Sequence, residues 1–474
     1  MNLGSPLKLI FDRNTLVPYP NNLDSTFTEP PSFPRIDMSS NTIASRGNHQ
    51  PVWEYPLPDG TDTRAGTTGV YTNLGGALIT GASNLGAVPG FEFFSVPGVG
   101  LPAPGFVGTK FDVFPGAPAV TDGRTIVVKG NYTDASGESR TGVYYRDLQM
   151  GPAGGATPML RIADSATTLI PGTNTVFGST APPSAAGRLA VFAGFDNEDA
   201  PTLGGIYLAP LTGWIWSPTP ITLVKIGGHV PGESPGTVFN KLGEGLSFDG
   251  RFVGFWGAWG RETTNLTLQC PTDGNQDLID YCMTLYPNGF QTTVPTHQGI
   301  FVHDIQTGET RAVAKTPTDF NDFVYWNFSG RVPGTGEGDD DGEPARWRSA
   351  SFVAASGLVD GSLNDPNFHV AFKARRGPVI DEAYLDPIDG IYLGRGPGLP
   401  SIAAVVETGM DGTQIDPAAV YDDDEDPTTP PVPLPVTTMG IEREGFRGKL
   451  IAMTVSMGTE EAGWAGVYLT RASR

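Results

Sequence analysis

Apolar runs bounded by Gly, Asn or Pro turns recur along this chain, and a short signature closes a turn-and-strand pattern six times. The signature reads Gly69-Val70-Tyr71, Gly142-Val143-Tyr144, Gly205-Ile206-Tyr207, Gly299-Ile300-Phe301, Gly390-Ile391-Tyr392 and Gly466-Val467-Tyr468. Before it stand near-continuous apolar runs such as Arg124-Thr125-Ile126-Val127-Val128, Arg188-Leu189-Ala190-Val191-Phe192 and Arg251-Phe252-Val253-Gly254-Phe255. Such runs mark strands buried on both faces. After it come Ala77-Leu78-Ile79, Met159-Leu160-Arg161-Ile162, Thr222-Leu223-Val224-Lys225-Ile226, Thr310-Arg311-Ala312-Val313 and Ile402-Ala403-Ala404-Val405-Val406. These alternate more, as strands with one face toward solvent do. Val88-Pro89-Gly90, Ile170-Pro171-Gly172 and Val230-Pro231-Gly232 then stop the outer strand, because Pro lacks the amide that a ladder needs.

A unit of four antiparallel strands repeated six times predicts an all-β fold, a six-bladed β-propeller. The sixth signature ends close to the C-terminus without an outer strand, and Leu7-Lys8-Leu9-Ile10-Phe11 followed by Leu16-Val17-Pro18 supplies the matching piece. The N-terminal strand is therefore expected to complete the last blade, which leaves no open edge. One domain of 1–474 follows, with blades near 26–84, 92–165, 174–228, 237–316, 318–409, and 414–474 plus 5–24. Signature spacings of 73, 63, 94, 91 and 76 residues exceed an ordinary blade repeat, and the longest insertion spans 260–298.

The small-x-Gly-x-hydrophobic-Ala/Gly-Phe pattern, with Gly-Ile-Tyr and a strand ending before Val-Pro-Gly, resembles the tandem-repeat bacterial surface proteins named for an Asn-x-x-Gly-x-x-Ala-Phe motif. Nearly the whole chain shares the likeness, although the initial Asn is mostly lost and the inserts are longer. That resemblance implies export and cell-envelope attachment, and no chemistry.

The chain carries 63 Gly and 43 Pro among 474 residues, and with 39% hydrophobic content the dense turns explain them better than disorder. A net charge of −21 disfavours nucleic acid and anionic lipid as partners. No apolar run is long enough for a transmembrane segment, and Met1 is followed by no basic leader with an apolar core, which for an exported protein suggests a processed form. Cys270 and Cys282 stand alone as a close pair and are expected to form a disulfide, which points to an extracellular, periplasmic or cell-surface location. Sequons at Asn131, Asn265 and Asn327 fit export.

Loops that join the second and third strands of successive blades gather candidate chemistry. Arg46-Gly47-Asn48-His49 and Lys129-Gly130-Asn131-Tyr132 both set a cation and Gly-Asn before an imidazole or phenol. A polysaccharide lyase would use His49 or Tyr132 as acid and base and Arg46, Lys129, Arg375 or Arg376 to neutralise a uronate carboxylate. Trp53, Tyr55, Trp256 and Trp259 suit sugar stacking or blade packing, and Asp196 and Glu460 lie in equivalent loops as ligand-binding candidates. Asp273, Asn275, Asp277 and Asp280 place oxygen donors at the spacing of a Ca2+ loop, with a polar disulfide-closed loop as the alternative. Acidic runs at 337–343 and 422–426 read as exposed loops. No nucleotide-binding loop, zinc-spaced cluster or Gly-x-Ser-x-Gly elbow appears. The expectation is a surface or extracellular binding or scaffolding propeller whose partner is a polysaccharide or surface protein. A polysaccharide lyase, ahead of a hydrolase, and a filament subunit are the alternatives.

Overall fold

The computed structural model describes residues 9–29, 32–57, 59–101, 106–213, 217–334, 344–356, 367–397, 401–422 and 430–472. The acidic run 337–343 and residues 423–426 of the second run lie outside them, as do Leu7 and Lys8. The chain is nearly all-β, and its six principal sheets are the six blades of a β-propeller. It divides into two compact units, residues 1–226 with 248–250, and residues 227–247 with 251–474.

In the first unit, the first blade is Ser32–Ile36, Ile43–Asn48, Thr68–Thr72 and Ile79–Ser83. The second is Ala119–Thr121, Thr125–Thr133, Ser139–Asp147 and Leu160–Asp164. In the third, a split inner strand, Ser179–Thr180 and Ser184–Ala186, precedes Leu189–Phe195, Gly204–Pro210 and Ile221–Lys225. Each pairs in simple antiparallel order. Cores lie between neighbouring blades: Ala44, Val70 and Ala82 meet Ile126, Val128 and Tyr144, while Val127, Val143 and Tyr145 meet Ala190, Phe192 and Tyr207. This face-to-face burial explains why the central strands read as continuous apolar runs. Arg146, fully buried, donates to the carbonyls of Gly81, Ala153, Gly155 and Thr157 and lies against the adjacent rings of Phe93 and Phe94.

The second unit repeats the plan. Its sheets are Phe239–Leu242, Phe252–Leu268, Phe290–Asp304 and Glu309–Lys315; then Val353–Ser356, Phe368–Arg376, Ile388–Gly396 and Ser401–Glu407; then Val436–Gly440, Leu450–Gly458 and Gly463–Arg471, with short Phe446–Arg447 on the middle strand. The expected 260–298 insertion is an extension of the two central strands of the fourth blade, capped by the helix Gln276–Leu285.

The signature has a steric cause. In five of the six copies the aromatic ring folds back over its own glycine, so a Cβ would lie 2.6 Å from the Tyr144 hydroxyl at Gly142 and 2.8 Å from the Tyr392 ring at Gly390, while at Gly205 the nearest atoms are the Val224 and Lys225 backbone. A second glycine faces the first across the ladder, in the pairs Gly47–Gly69, Gly130–Gly142, Gly194–Gly205 and Gly257–Gly299. On that second glycine rests a phenylalanine from the segment entering the blade: Phe27, Phe111, Phe177 and Phe239 would each meet the missing Cβ at 2.6–2.8 Å. These rings contact Tyr71, Tyr144, Tyr207 and Phe301 edge-on at 4.9, 4.9, 5.3 and 5.0 Å between centroids. Opposite the aromatic the outer strand carries one extra residue, Gly81, Ile162, Leu223, Val313 and Val405 in blades one to five. That bulge accommodates the folded-back ring.

The Val-Pro-Gly turns form as expected. Phe91, Thr173 and Glu233 amides donate to Val88, Ile170 and Val230 carbonyls, and Gly90, Gly172 and Gly232 have φ of 91, 80 and 79°, the type II geometry that favours glycine. The closing ladder is not formed among the described residues. Leu9–Phe11 has no strand pairing, Phe11 packs on Phe27 and Tyr71 of the first blade, and Gly463–Arg471 pairs with Leu450–Gly458 alone.

Gly142→Ala should lower stability by about 1–3 kcal/mol through overpacking, whereas Gly100→Ala, with nothing near its added Cβ, should change it little. Urea midpoints of the two variants at unchanged slope check this.

Candidate cation–aromatic site

Register shows what the candidates share. His49, Tyr132, Asp196, Trp259 and Arg376 all stand two residues beyond the ladder position opposite the signature glycine, and Arg46, Lys129 and Lys373 all stand one before it. Each blade thus presents the same two places, but their surroundings differ.

In the first two blades these places belong to the core. His49 is 4% exposed, and with the geometry of its partners Nδ1–H donates to the Gln50 carbonyl at 2.9 Å while Nε2 accepts from the Tyr71 hydroxyl at 2.5 Å. Burial pulls its pKa down to about 4, against the opposing Gln50 bond. Tyr132 is 1% exposed, and burial pushes its phenol up to about 12. Arg46 is half-buried over the Phe33 ring at 5.7 Å, and Lys129 is half-buried in Thr125–Thr133. His49 and Tyr132 are in separate sheets, each sealed beside its own aromatic stack, so the lyase set expected from His49, Tyr132, Arg46 and Lys129 is not assembled into one open site.

The remaining candidates are mostly structural. Trp259 is 4% exposed and stacks on His297. Trp256 donates to Gln298, and Trp53, on the hairpin Trp53–Pro56 with Asp62–Ala65, packs edge-on against Phe91 at 4.9 Å. Asp196 accepts from the amides of Thr202 and Leu203, bonds that outweigh burial and hold its carboxyl below the usual range. Glu460 is exposed in the turn before Gly463.

Cys270 and Cys282 form the disulfide, with Cα atoms 5.8 Å apart. The segment between them is not an open loop of donors. Asn275 caps the helix by accepting from the amides of Asp277 and Leu278, and Asp280 accepts from Gln276 on the exposed side. Among the described residues no three His, Cys, Asp or Glu side chains gather as metal ligands. The disulfide instead packs with Phe328 and Ala345, flanked by Leu278, Tyr281, Tyr286 and Trp347, and so ties the helix to the hairpin Tyr325–Ser329 with Arg346–Ala350.

The fifth blade is different. Its second strand ends Lys373-Ala374-Arg375-Arg376, with Ala374 where four blades have glycine, and alternation puts Lys373 and Arg375 on one face. Lys373 Nζ lies 4.1 Å from the centroid of Tyr325 and 5.7 Å from that of Phe352. Arg375 grips Asp389 with two bonds of 2.6 and 2.9 Å and stacks on Tyr384 and Tyr325 at 4.4 and 4.9 Å. On the other face Arg376 covers Tyr392 and Phe320 and pairs with Glu407, which also accepts from the Tyr392 hydroxyl.

Below lies a buried polar chain. Asp322, wholly buried, accepts from Gln298 at 2.7 Å, from the Val324 amide at 2.9 Å and from the Tyr384 hydroxyl, and Gln298 accepts from Trp256 at 2.9 Å. Burial raises the Asp322 carboxyl despite these bonds. The Tyr384 hairpin is anchored at its turn. Asp381 and Glu382 both have positive φ, and Glu382 accepts from the Thr267 amide through its carbonyl and from the Thr267 hydroxyl through its carboxylate. Lys373 is the one basic group here that the described contacts leave facing rings and no carboxylate. Burial pulls its ammonium below the usual lysine range, opposed by Asp389 and reinforced to a smaller extent by Arg375.

Tyr325, Phe352, Asp322, Tyr384 and Asp389 were not singled out from sequence. The density of aromatics in Phe320, Phe323, Tyr325, Trp326 and Phe328 was the available signal.

No family model and no curated protein matches the chain. Among solved structures, it is similar to the β-propeller domain of the Trilobed protease from Pyrococcus furiosus, with 9% identity, 77% of this chain and 84% of that one covered, and a TM-score of 0.26. An α-L-arabinofuranosidase from Fusarium graminearum gives 10%, 73% and 89%, and 0.25. The periplasmic gluconolactonase of Pseudomonas aeruginosa gives 13%, 80% and 89%, and 0.24. Likenesses of this size bear on neither activity nor ligand.

Folded His49 stays neutral down to about pH 4, while unfolded histidine titrates near 6.5. The unfolded chain therefore binds the extra proton first, and stability should fall as pH drops from about 6.5 to 4, by at most roughly 3 kcal/mol from this group. His49→Gln should flatten that part of the stability profile, measured by urea unfolding across the window.

Proposed function

We propose that this protein is an exported binding or scaffolding propeller that recognises a glycan or a surface protein, with the Lys373–Tyr325–Phe352 face as its contact. The carrying observation is Lys373, a half-buried ammonium set against two aromatic rings, with no ion pair among the described residues and its nearest acting carboxylate, Asp389, already held by Arg375, in a chain of net charge −21. Aromatic rings offer a face to a sugar, and a nearby unneutralised cation favours a carboxylate-bearing ring over a neutral one. The supporting shell is rigid, since Arg375 is fixed by Asp389 and Tyr384 by Asp322. Export is supported by the disulfide. No helix among the described residues is long and apolar enough to cross a membrane.

Binding is favoured over lyase chemistry because a general base needs a lone pair within reach of substrate, and His49 spends both ring nitrogens inside the core. Acidic and neutral polysaccharides presented to the whole protein should separate the two. Retention of an acidic polysaccharide, weakened about tenfold by Lys373→Met and by added salt, supports the proposal. A rise in unsaturated-uronate absorbance on incubation would establish the lyase instead, and no retention of any glycan or surface protein would remove the contact assigned to Lys373.

Calcium at Asp273, Asn275, Asp277 and Asp280 is a separate proposal, and it requires the helix start to open because Asn275 already accepts two amides. A calcium titration by calorimetry should then be accompanied by loss of helical circular dichroism. Heat of binding without that loss would place the ion elsewhere.

A further inference from the structure

Lys373 stands in surroundings that the other described lysines lack. Lys225 and Lys241 are exposed and Lys315 is paired with Glu233 at 2.6 Å, whereas Lys373 is half-buried with Nζ 4.1 and 5.7 Å from the ring centroids of Tyr325 and Phe352. Among the described residues it is the one lysine placed over aromatic rings, and no side chain or carbonyl accepts from its Nζ. Its setting favours the neutral amine. The rings take water from the ammonium, which costs the charged form more than the free base. Arg375, two residues on and on the same face, adds a second positive charge that cannot turn away, because both oxygens of Asp389 grip it at 2.6 and 2.9 Å and the Tyr325 and Tyr384 rings stack on it. Asp389 is thus committed to another cation. The titratable groups that face Lys373 are Arg375 on its own strand, Asp389 on Ile388–Gly396 and the Tyr325 phenol on its hairpin, which burial keeps protonated. Burial above all draws the lysine below its usual range, against Asp389 and with a smaller push from Arg375.

We infer that Lys373 is a nucleophilic amine that captures aldehydes, with the open-chain reducing end of a sugar as the class suited to a ring-lined contact. The inference rests on the glycan contact proposed for the same face and deepens it. A desolvated lysine beside a fixed cation is the arrangement that activates an amine, and the half-buried side chain is not sealed from solutes. The nitrogen lone pair adds to the carbonyl carbon to give a carbinolamine, both nitrogen hydrogens depart with the carbinol oxygen as water, and a C=N bond replaces the C=O bond. No oxidant or reductant is consumed, and hydrolysis reverses the step. The ammonium form meets a carboxylate and the free amine meets a carbonyl, so the two forms of one side chain serve the same ligand class at one place.

The full protein is treated at neutral pH with glyceraldehyde and cyanoborohydride, which reduces imines as they form, then digested for peptide mass spectrometry. Lys373 should take the label about tenfold faster than exposed Lys225 or Lys241, since a unit off an amine's pKa gives about ten times more free base. The preference should vanish in guanidinium chloride, where neither the rings nor Arg375 surround the amine. Labelling of Lys373 no faster than that of Lys225, or a preference that survives unfolding, overturns the inference. Polysaccharide retention reads the ammonium and labelling reads the amine, so the two readings fail separately. Retention without preferential labelling removes the nucleophile and keeps the glycan contact, whereas preferential labelling without retention keeps the nucleophile and removes the polysaccharide as its ligand.

Discussion

Everything regular in this molecule depends on an aromatic ring folding back over a glycine in its own strand. A residue with a Cβ at Gly142 or Gly390 would collide with Tyr144 or Tyr392, so the aromatic can turn inward only where the backbone is bare. In the first four blades it is accompanied by a second bare position across the ladder, on which the incoming phenylalanine rests, and in the first five by an extra residue in the outer strand. Three features far apart in sequence are therefore one steric solution. Its repetition fixes where the outer strand bulges and buries the entering phenylalanine. The fifth blade relaxes the rule by putting Ala374 opposite Gly390, and Phe320 accordingly lies tilted at 57° on Tyr392 in place of the near-perpendicular contacts elsewhere.

That relaxation coincides with a cluster of three cations on the same strand and several rings against them. With a methyl group at Ala374, the strand carries Lys373 and Arg375 on one face and Arg376 beyond, and the insertion hairpins bring Tyr325 and Tyr384 against them. Asp322 fixes Tyr384 from below and Asp389 fixes Arg375 from the side, which leaves Lys373 facing rings with only the shared field of Asp389 to offset its burial. A strained turn at Asp381 and Glu382 is held by Thr267, so the shell of the site is set by contacts between two insertions as well as by the blade.

Much of the architecture was legible because its causes are local. Gly-x-aromatic, the apolar run before it and Val-Pro-Gly each act within a few residues, and all reappear at their expected places. The Cys270–Cys282 pair was legible for the same reason. What could not be read was which side of a strand a given loop-like residue would take. His49 and Tyr132 follow Gly-Asn and look like turn residues, yet Tyr132 lies within a strand that runs to Thr133, His49 adds a bridge to Phe27 at the end of its strand, and both turn inward. The donor spacing at Asp273 to Asp280 was ambiguous in kind, since an Asn before Gln-Asp-Leu-Ile is also a helix cap, and the cap is what forms. Tyr325 and Asp389 are 64 residues apart in sequence and meet only through blade register.

The same register bears on the acid–base chemistry expected of His49 and Tyr132. The ladder position two residues past the glycine is the natural place for a functional side chain, since every blade repeats it, but in the first two blades it lies beside the aromatic stack and is desolvated by it. Desolvation holds His49 neutral to about pH 4 and keeps the Tyr132 phenol protonated to about 12. A proton carrier with those values works at neutral pH in neither direction. In the fifth blade Arg375 keeps its charge against the Tyr325 and Tyr384 rings because Asp389 holds it despite burial, whereas the Lys373 ammonium is pulled below the usual lysine range by the same desolvation. A scaffold whose regularity comes from buried aromatics thus favours cation–ring contacts at its repeated positions and disfavours acid–base pairs there, so chemistry of the second kind would have to be built on the insertions, away from the blades.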